Sequence, residues 1–346
     1  MSTKIRRITK VACMGVLVLF IVTISLEMTF AATTIKFAHY ENPLPYENPC
    51  HGMAAVFKGV LERETRGEIK VNIFPAAQLG KEREIMESLK MGSIQSIVLS
   101  EGTSVLFFPP MEVLGIPFLN PSIEVAWKVM DGPFGQEFKE AMRKQTGIRM
   151  VSVAAPGGFR NFGTNKVVHR VEDLKGLKIR TMAHPIHQEI VRSLGATPTP
   201  VAYTEVYTAI KTGVVDGLEL PYQAILNMKL EEVIKYYIVD GHVFNQQFVY
   251  VNDKWFTSLP ADHQKAVLKA GKAAEIAGRG IVYISDSVGA DQLREKGVEI
   301  YFPTKEEREE FKKLAQPAVL SLLGKRVEKK WIDGILKAVE EASAAE

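Results

Sequence analysis

The chain has 346 residues, of which 46% are hydrophobic and 24% charged, and only two are cysteines. That composition excludes a disordered or collagen-like chain, and the cysteine count excludes a disulfide-stapled miniprotein. The formal net charge of +3 is confined to one end. Residues 1–31 hold Lys4, Arg6, Arg7 and Lys10 against the single acid Glu27, and the remainder carries basic and acidic residues in equal number. No global basic field is left to attract nucleic acid.

Lys4 to Lys10 form a cationic n-region, Val11 to Leu26 form a mostly apolar run, and Thr29-Phe30-Ala31 places small residues at −3 and −1. The pattern predicts a signal peptide over 1–31, cleaved before Ala32, and export to the periplasm. The run is shorter than the ~20 residues that span a bilayer core. Cys13 lies at the start of that run rather than its end, which argues against a lipoprotein. The mature chain keeps Cys50 alone, read as a buried small residue. The length fits about two domains.

The N-terminal half alternates strand and helix patterns. Ile35 to His39 reads as a strand, Gly52 to Thr65 as a helix closed by Gly67, Ile69 to Phe74 as a strand. Lys81 to Lys90 follows as a helix closed by Gly92, then Ile94 to Ser100 as a strand. This order is that of βαβ units on a mainly parallel sheet. Helices are predicted at Ile123 to Met130 and Phe134 to Gln145, then an apolar strand at Ile148 to Ala155. Pro156-Gly157-Gly158 breaks the pattern and marks a crossover between lobes.

A second α/β stretch follows. Strands are predicted near Phe159 to Thr164, Lys178 to Arg180 and Gly217 to Leu220, with helices at Pro185 to Leu194 and Glu205 to Thr212. Gln247 to Asn252 alternates like a strand. Pro260 then opens a long helical pattern reaching Lys296, interrupted only by glycines, and Thr304 with Glu307 has capping-box spacing. The expected fold is α/β and two-lobed. It assigns 32–157 with about 246–285 to lobe I, and 158–245 with about 286–346 to lobe II, joined by the long helix.

Phosphate-loop, dinucleotide, nucleophile-elbow and HExxH zinc signatures are absent. His184 and His187 are read as an exposed helix N-terminus rather than a metal site. No cofactor, metal or catalytic group is expected. Arg160 follows the Pro-Gly-Gly break, and Arg180 ends the segment Asp173 to Arg180. Strand ends of α/β sheets are where ligands bind, and a guanidinium fork there can grip a carboxylate. The residues alone describe an exported two-lobed α/β protein with an anion site.

The chain resembles the dicarboxylate-binding (DctP-like) family of solute receptors for tripartite ATP-independent periplasmic, or TRAP, transporters. Its landmarks run from Ile35-Lys36-Phe37-Ala38 and Phe74-Pro75-Ala76-Ala77-Gln78-Leu79-Gly80 through Pro117-Phe118 and Arg160. They continue in Asp173 to Arg180, Gly195 to Pro200, Glu205-Val206-Tyr207 and Val215 to Glu219. The resemblance implies a periplasmic binding-protein fold, a small organic-acid ligand, membrane permease subunits as partners and a monomeric receptor. It implies Arg180 as the principal carboxylate clamp, with Arg160 a second cation.

Further pocket positions carry over as His39 and Tyr40, Ser100 and Glu101, and Tyr203, with His242 and Asn245 near the second crossover. The family's DGQENP reads Asp216-Gly217-Leu218-Glu219-Leu220-Pro221 here, followed by Tyr222. Leu220 replaces an Asn, which suits a monocarboxylate with an apolar or aromatic body better than a sugar acid. The alternative is an exported lyase or hydrolase, for which only His39, Glu101 and Glu219 could supply an acid or base.

Overall fold

Parallel neighbours in a sheet need a crossover of a dozen or more residues, usually a helix, and the first strands of this chain are spaced accordingly. The computed structural model describes residues 32–344, so the signal-peptide reading lies outside the described residues. From Thr34 onward the described residues form one unit. Strand β1 (Thr33–Ala38) leads through helix α1 (Pro49–Glu64) to β2 (Ile69–Phe74), and through α2 (Glu82–Met91) to β3 (Ser96–Ser100). Asn48 caps α1, accepting from the Cys50 and His51 amides, with Pro49 pre-set for the first turn. Helices α3 (Ile123–Asp131) and α4 (Pro133–Thr146) precede β4 (Ile148–Ala154).

Beyond the break come β5 (Phe159–Thr164), β6 (Lys178–Thr181), α5 (Pro185–Ser193), β7 (Thr197–Pro200), β8 (Gly217–Leu220), β9 (Tyr236–Phe244) and β10 (Gln247–Asn252). The chain ends with α6 (Ala261–Glu295), β11 (Glu299–Tyr301), α7 (Lys305–Leu323) and α8 (Lys329–Ala344). Two sheets result, ordered β2-β1-β3-β10-β4 and β11-β9-β5-β8-β6-β7. β1 is parallel to β3, β6 is parallel to β7 and β8, and β9 is parallel to β11.

One strand in each sheet runs the other way. β10 is antiparallel to β3 and β4, and β5 is antiparallel to β8 and β9. The connectivity requires this. β4 leaves the first sheet for the second through Ala155–Gly158, and β10 returns to it through Asn245–Gln246. Two segments crossing one cleft in opposite directions must enter antiparallel, as the pairs Gln247↔Ala154 and Phe159↔Phe244 record. The crossings are bonded, Asn245 N–H donating to Gly158 O at 3.3 Å. Gly157 and Gly158 take φ of 154° and 89°, values L side chains rarely adopt.

The predicted long helix is present as α6 and packs on both sheets' elements. Three of its glycines, Gly271, Gly278 and Gly289, are points of close approach. A Cβ on Gly271 would lie 2.4 Å from Val151 O on β4, and one on Gly289 would lie 2.5 Å from Tyr222 Cβ beside the second sheet. Helix interiors lose about 1 kcal/mol per glycine relative to alanine, offset here by backbone contact with each lobe. The capping box at α7 forms as expected, with Glu307 N–H on Thr304 Oγ1 at 3.2 Å and Thr304 N–H on Glu307 Oε2 at 2.7 Å.

The assignment of 286–346 to the second lobe needs correction at its end. In α8, Trp331 packs edge-on against Phe138 of α4 at 5.4 Å, and against Phe134 and Phe108. The last helix therefore lies on the helices of the first sheet. Among the described residues no helix is long and apolar enough to cross a membrane.

Candidate functional site

The carboxyl ends of β3, β6 and β8 and both crossings converge on one cleft. A cavity of about 390 Å³ occupies it, walled from both lobes. Of the sequence-predicted residues, Arg180, Arg160, Tyr203, Tyr40, Ser100, Leu220 and Asn245 line it. His39, Glu101, His242 and Tyr222 do not.

Arg180 stands at the cleft end of β6, opposite Thr199 of β7 and Leu218 of β8. It is 1% exposed, its Nε donates to Val201 O at 2.9 Å, and its buried Nη1 has no hydrogen-bond partner. Burial, with Arg160 nearby, lowers its pKa to about 10, so it stays charged at neutral pH. An unpaired buried guanidinium is costly unless an anion meets it.

Arg160 is engaged otherwise. Nε donates to the Glu219 carboxylate, Nη2 to the Glu219 backbone oxygen, and Nη1 to Asn245 Oδ1 at 2.6 Å. Asn245 in turn donates to the Glu101 carboxylate. Burial pushes Glu219 up, but Arg160 and His187 override it and hold the carboxylate well below its usual range. Arg160 therefore neutralises Glu219 and positions Asn245, and the fork left for a ligand is that of Arg180.

The residues expected at the ligand but placed elsewhere have identifiable partners. His39 is buried, with Nε2 2.9 Å from His51 Nδ1, and burial next to His51 lowers its pKa to about 3. Glu101 lies behind Asn245, where burial outweighs Arg160 and raises it to about 7. His242 stacks on Phe162 at 4.5 Å with Nδ1 2.7 Å from Asp240 Oδ2. Burial lowers it, but Asp240 and Glu219 prevail and raise it to about 9. Tyr222 packs on Tyr237 and against Gly289 of α6.

His184 and His187 are not an exposed helix N-terminus. Both are buried, with rings 4.5 Å apart; His184 Nδ1 caps α5 by accepting from the Ile186 amide. His187 lies 3.7 Å from Glu101 and 3.5 Å from Glu219, between carboxylates of the two lobes. Among the described residues no group of three or more His, Cys, Asp or Glu could hold a metal ion. Cys50 is buried and free, with burial pushing its thiol up.

Sequence reasoning missed Glu41, Met182 and Val201 in the cavity wall. Glu41 follows Tyr40 directly and only the burial of its loop distinguishes it from a surface acid. Tyr40 and Tyr203 meet edge-to-face at 5.1 Å across the cleft, and the Tyr203 hydroxyl donates to Glu41 Oε2 at 3.3 Å. Asn42 Nδ2 on Asn227 O and Lys81 Nζ on Glu205 also join the lobes, so the cleft is closed.

Comparison with known proteins agrees with this geometry. Residues 37–325 match the family model DctP, described as bacterial extracellular solute-binding protein, family 7. A solute-binding protein of Verminephrobacter eiseniae is 35% identical over 257 residues, 73% of this chain and 76% of its own. A TRAP periplasmic solute binding protein from Bordetella bronchispeptica, with density interpreted as pantoate, superposes with a TM-score of 0.82 at 32% identity. That match covers 88% of this chain and 99% of the other. The sugar acid binding protein of Advenella mimigardefordensis in complex with galactonate gives 0.85 at 26% identity, covering 90% and 99%. With this match over most of its length and a closed two-lobed cleft built around a buried arginine, the chain belongs to the DctP family of TRAP-transporter solute-binding proteins.

Proposed function

We propose that this protein is a periplasmic receptor that captures a small organic acid on Arg180 and delivers it to TRAP membrane permease subunits. The observation that carries this reading is the buried, unpartnered Nη1 of Arg180 at a cavity walled by both lobes. Hydrogen bonds to charged groups contribute about 1.5–3 kcal/mol each, a large share of the ~8 kcal/mol that micromolar affinity needs. The acid docks in an open cleft, and lobes of 32–157 with about 246–285 and the last helix, and 158–245 with about 286–328, close around it by hinge motion. Residues 1–31 direct export and are removed.

Leu220, Met182, Val201 and the Tyr40–Tyr203 pair give the cavity a largely apolar wall. This supports a monocarboxylate with an apolar or aromatic body as the ligand class. A thermal-shift screen over organic acids tests the reading. A ligand at ~100 times its dissociation constant stabilises by about 2.7 kcal/mol. Binding confined to sialic acid or C4-dicarboxylates would refute the ligand class, and an unchanged dissociation constant in Arg180→Ala would refute the clamp. The enzyme alternative draws on Glu41, raised to about 7 in the cavity wall; recovery of bound acid unchanged after long incubation separates the two.

A further inference from the structure

Glu41 is a carboxyl in an otherwise largely apolar cavity wall, 4% exposed, on the segment between β1 and α1. The hydrogen bonds from Asn48 and Tyr203 both fall on one oxygen, Oε2. Asn48 Nδ2 donates at 2.6 Å and the Tyr203 hydroxyl at 3.3 Å. Asn48 is itself fixed by capping α1, so the carboxyl is held from the first lobe and met by Tyr203 from the second. No ion pair joins Glu41 to Arg180 or Arg160 among the described residues, although all three line one cavity. Lys81, Glu82 and Arg83 also line the cavity, Lys81 paired with Glu205 and Arg83 with Glu87. Arg180 offers donors, and Glu41 offers an acceptor that no ion pair neutralises among the described residues.

We propose that Glu41 is the specificity-determining residue of this cavity: its carboxyl oxygen Oε1, which Asn48 and Tyr203 leave open, accepts a hydrogen bond from a donor group, hydroxyl or amine, carried by the ligand away from its carboxylate. The same oxygen excludes acids with a second carboxylate at that place, because like charges across a desolvated contact cost several kcal/mol. This rests on the Arg180 reading and deepens it. The receptor takes a monocarboxylate with an apolar body and one distal donor.

The groups facing Glu41 are Tyr40 on its own segment, Asn48 and Cys50 on α1, Glu82 on α2 and Tyr203 from the other lobe. Burial, and then Glu82, raise its pKa, Asn48 and the tyrosines lower it, and the balance lies at about 7. Exclusion of a second carboxylate therefore strengthens above that pH and relaxes below it.

Calorimetry with two matched series tests this. Butyrate, 4-hydroxybutyrate, 4-aminobutyrate and succinate share one body, and phenylacetate, 4-hydroxyphenylacetate and 4-carboxyphenylacetate share another. At pH 8.5 the donor-bearing member of a series should bind at least about tenfold tighter than its dicarboxylate, and that ratio should shrink at pH 6.5. In Glu41→Gln, whose amide can donate to a carboxylate, the ratio should fall to within about threefold at both pH values. Glu41→Asp keeps the charge and should keep the discrimination against dicarboxylates. Equal ratios in wild type and Glu41→Gln, or no pH dependence in the wild type, would overturn the proposal. Arg180→Ala run in parallel separates the two readings. If it binds every probe as wild type does, the clamp fails; if it binds none while Glu41→Gln keeps the wild-type ratio, only the role of Glu41 fails.

Discussion

Truncating Arg160 would leave Glu219 buried beside His187 without the guanidinium that holds it ionised. Breaking such a buried pair costs about 3–5 kcal/mol, so Arg160→Ala should lower the urea midpoint sharply. Arg180 has the opposite character, since its buried Nη1 is unsatisfied within the protein. Arg180→Ala should leave stability unchanged or raise it by about 1 kcal/mol, the usual trade-off at a binding site, while abolishing ligand binding. Arg180→Lys keeps the charge but loses the planar fork and should also bind poorly. Equal loss of stability in both alanine variants would contradict this division of roles. Glu101 makes a pH prediction of its own. Burial lifts it from 4.5 to about 7, against the pull of Arg160. The folded state then binds more protons than the unfolded state between those values, and stability falls as pH rises through that window. Glu101→Gln should flatten the fall in melting temperature between pH 5 and 7.5, and an unchanged slope would rule the group out. At this scale the sequence was informative about Arg180, which ends a strand in a recognisable segment. It was silent on Glu41 and on the burial of His187, because both depend on which lobe closes over them.

The proposed hinge is two short crossings, and one of them is open to a simple test. Gly158 has φ of 89°, yet a Cβ there would meet nothing closer than 3.6 Å. Gly158→Ala therefore adds backbone strain without a clash, about 1–2 kcal/mol in the closed arrangement. If opening relieves that strain, binding should weaken roughly tenfold with little loss of melting temperature. A variant that loses stability and keeps affinity would place the strain in both states. The crossing was readable because Pro156-Gly157-Gly158 interrupts an apolar strand. Other elements were hidden for physical reasons. β7 reads Thr-Pro-Thr-Pro, and prolines are tolerated there because it is an edge strand. β9 contains Asp240-Gly241, which reads as a turn. Gly241 instead sits at an irregularity opposite Asn161, whose Oδ1 accepts its N–H at 2.7 Å. The partner of α8 was invisible because an amphipathic pattern shows that a helix has a buried face and not what covers it.

Across the whole molecule the charge balance and the closed cleft have one consequence in common. With basic and acidic residues equal in number beyond residue 31, no net charge draws the lobes together, and the bridging contacts are local. Lys81–Glu205 is half-exposed at both ends, so salt screens it and it adds little. Tyr40 with Tyr203, the Glu41–Tyr203 bond, and Glu101 with Asn245 and His187 are buried contacts between the lobes. A ligand can favour the closed form only through contacts made better there than in the open one. A carboxylate on Arg180 touches the second lobe, so the contribution of the first lobe must come through its own lining residues, among them Tyr40, Glu41, Ser100 and Thr103. Small-angle scattering should therefore show a radius of gyration that falls on saturation with a bound acid. Tyr40→Ala should still bind that acid, more weakly, with a smaller fraction of closed molecules at saturation. Its loss of affinity should match the shift in closed fraction, since both report the same free energy. Full compaction in Tyr40→Ala with weakened binding would mean that Tyr40 serves the ligand alone and that closure is built into the lobes.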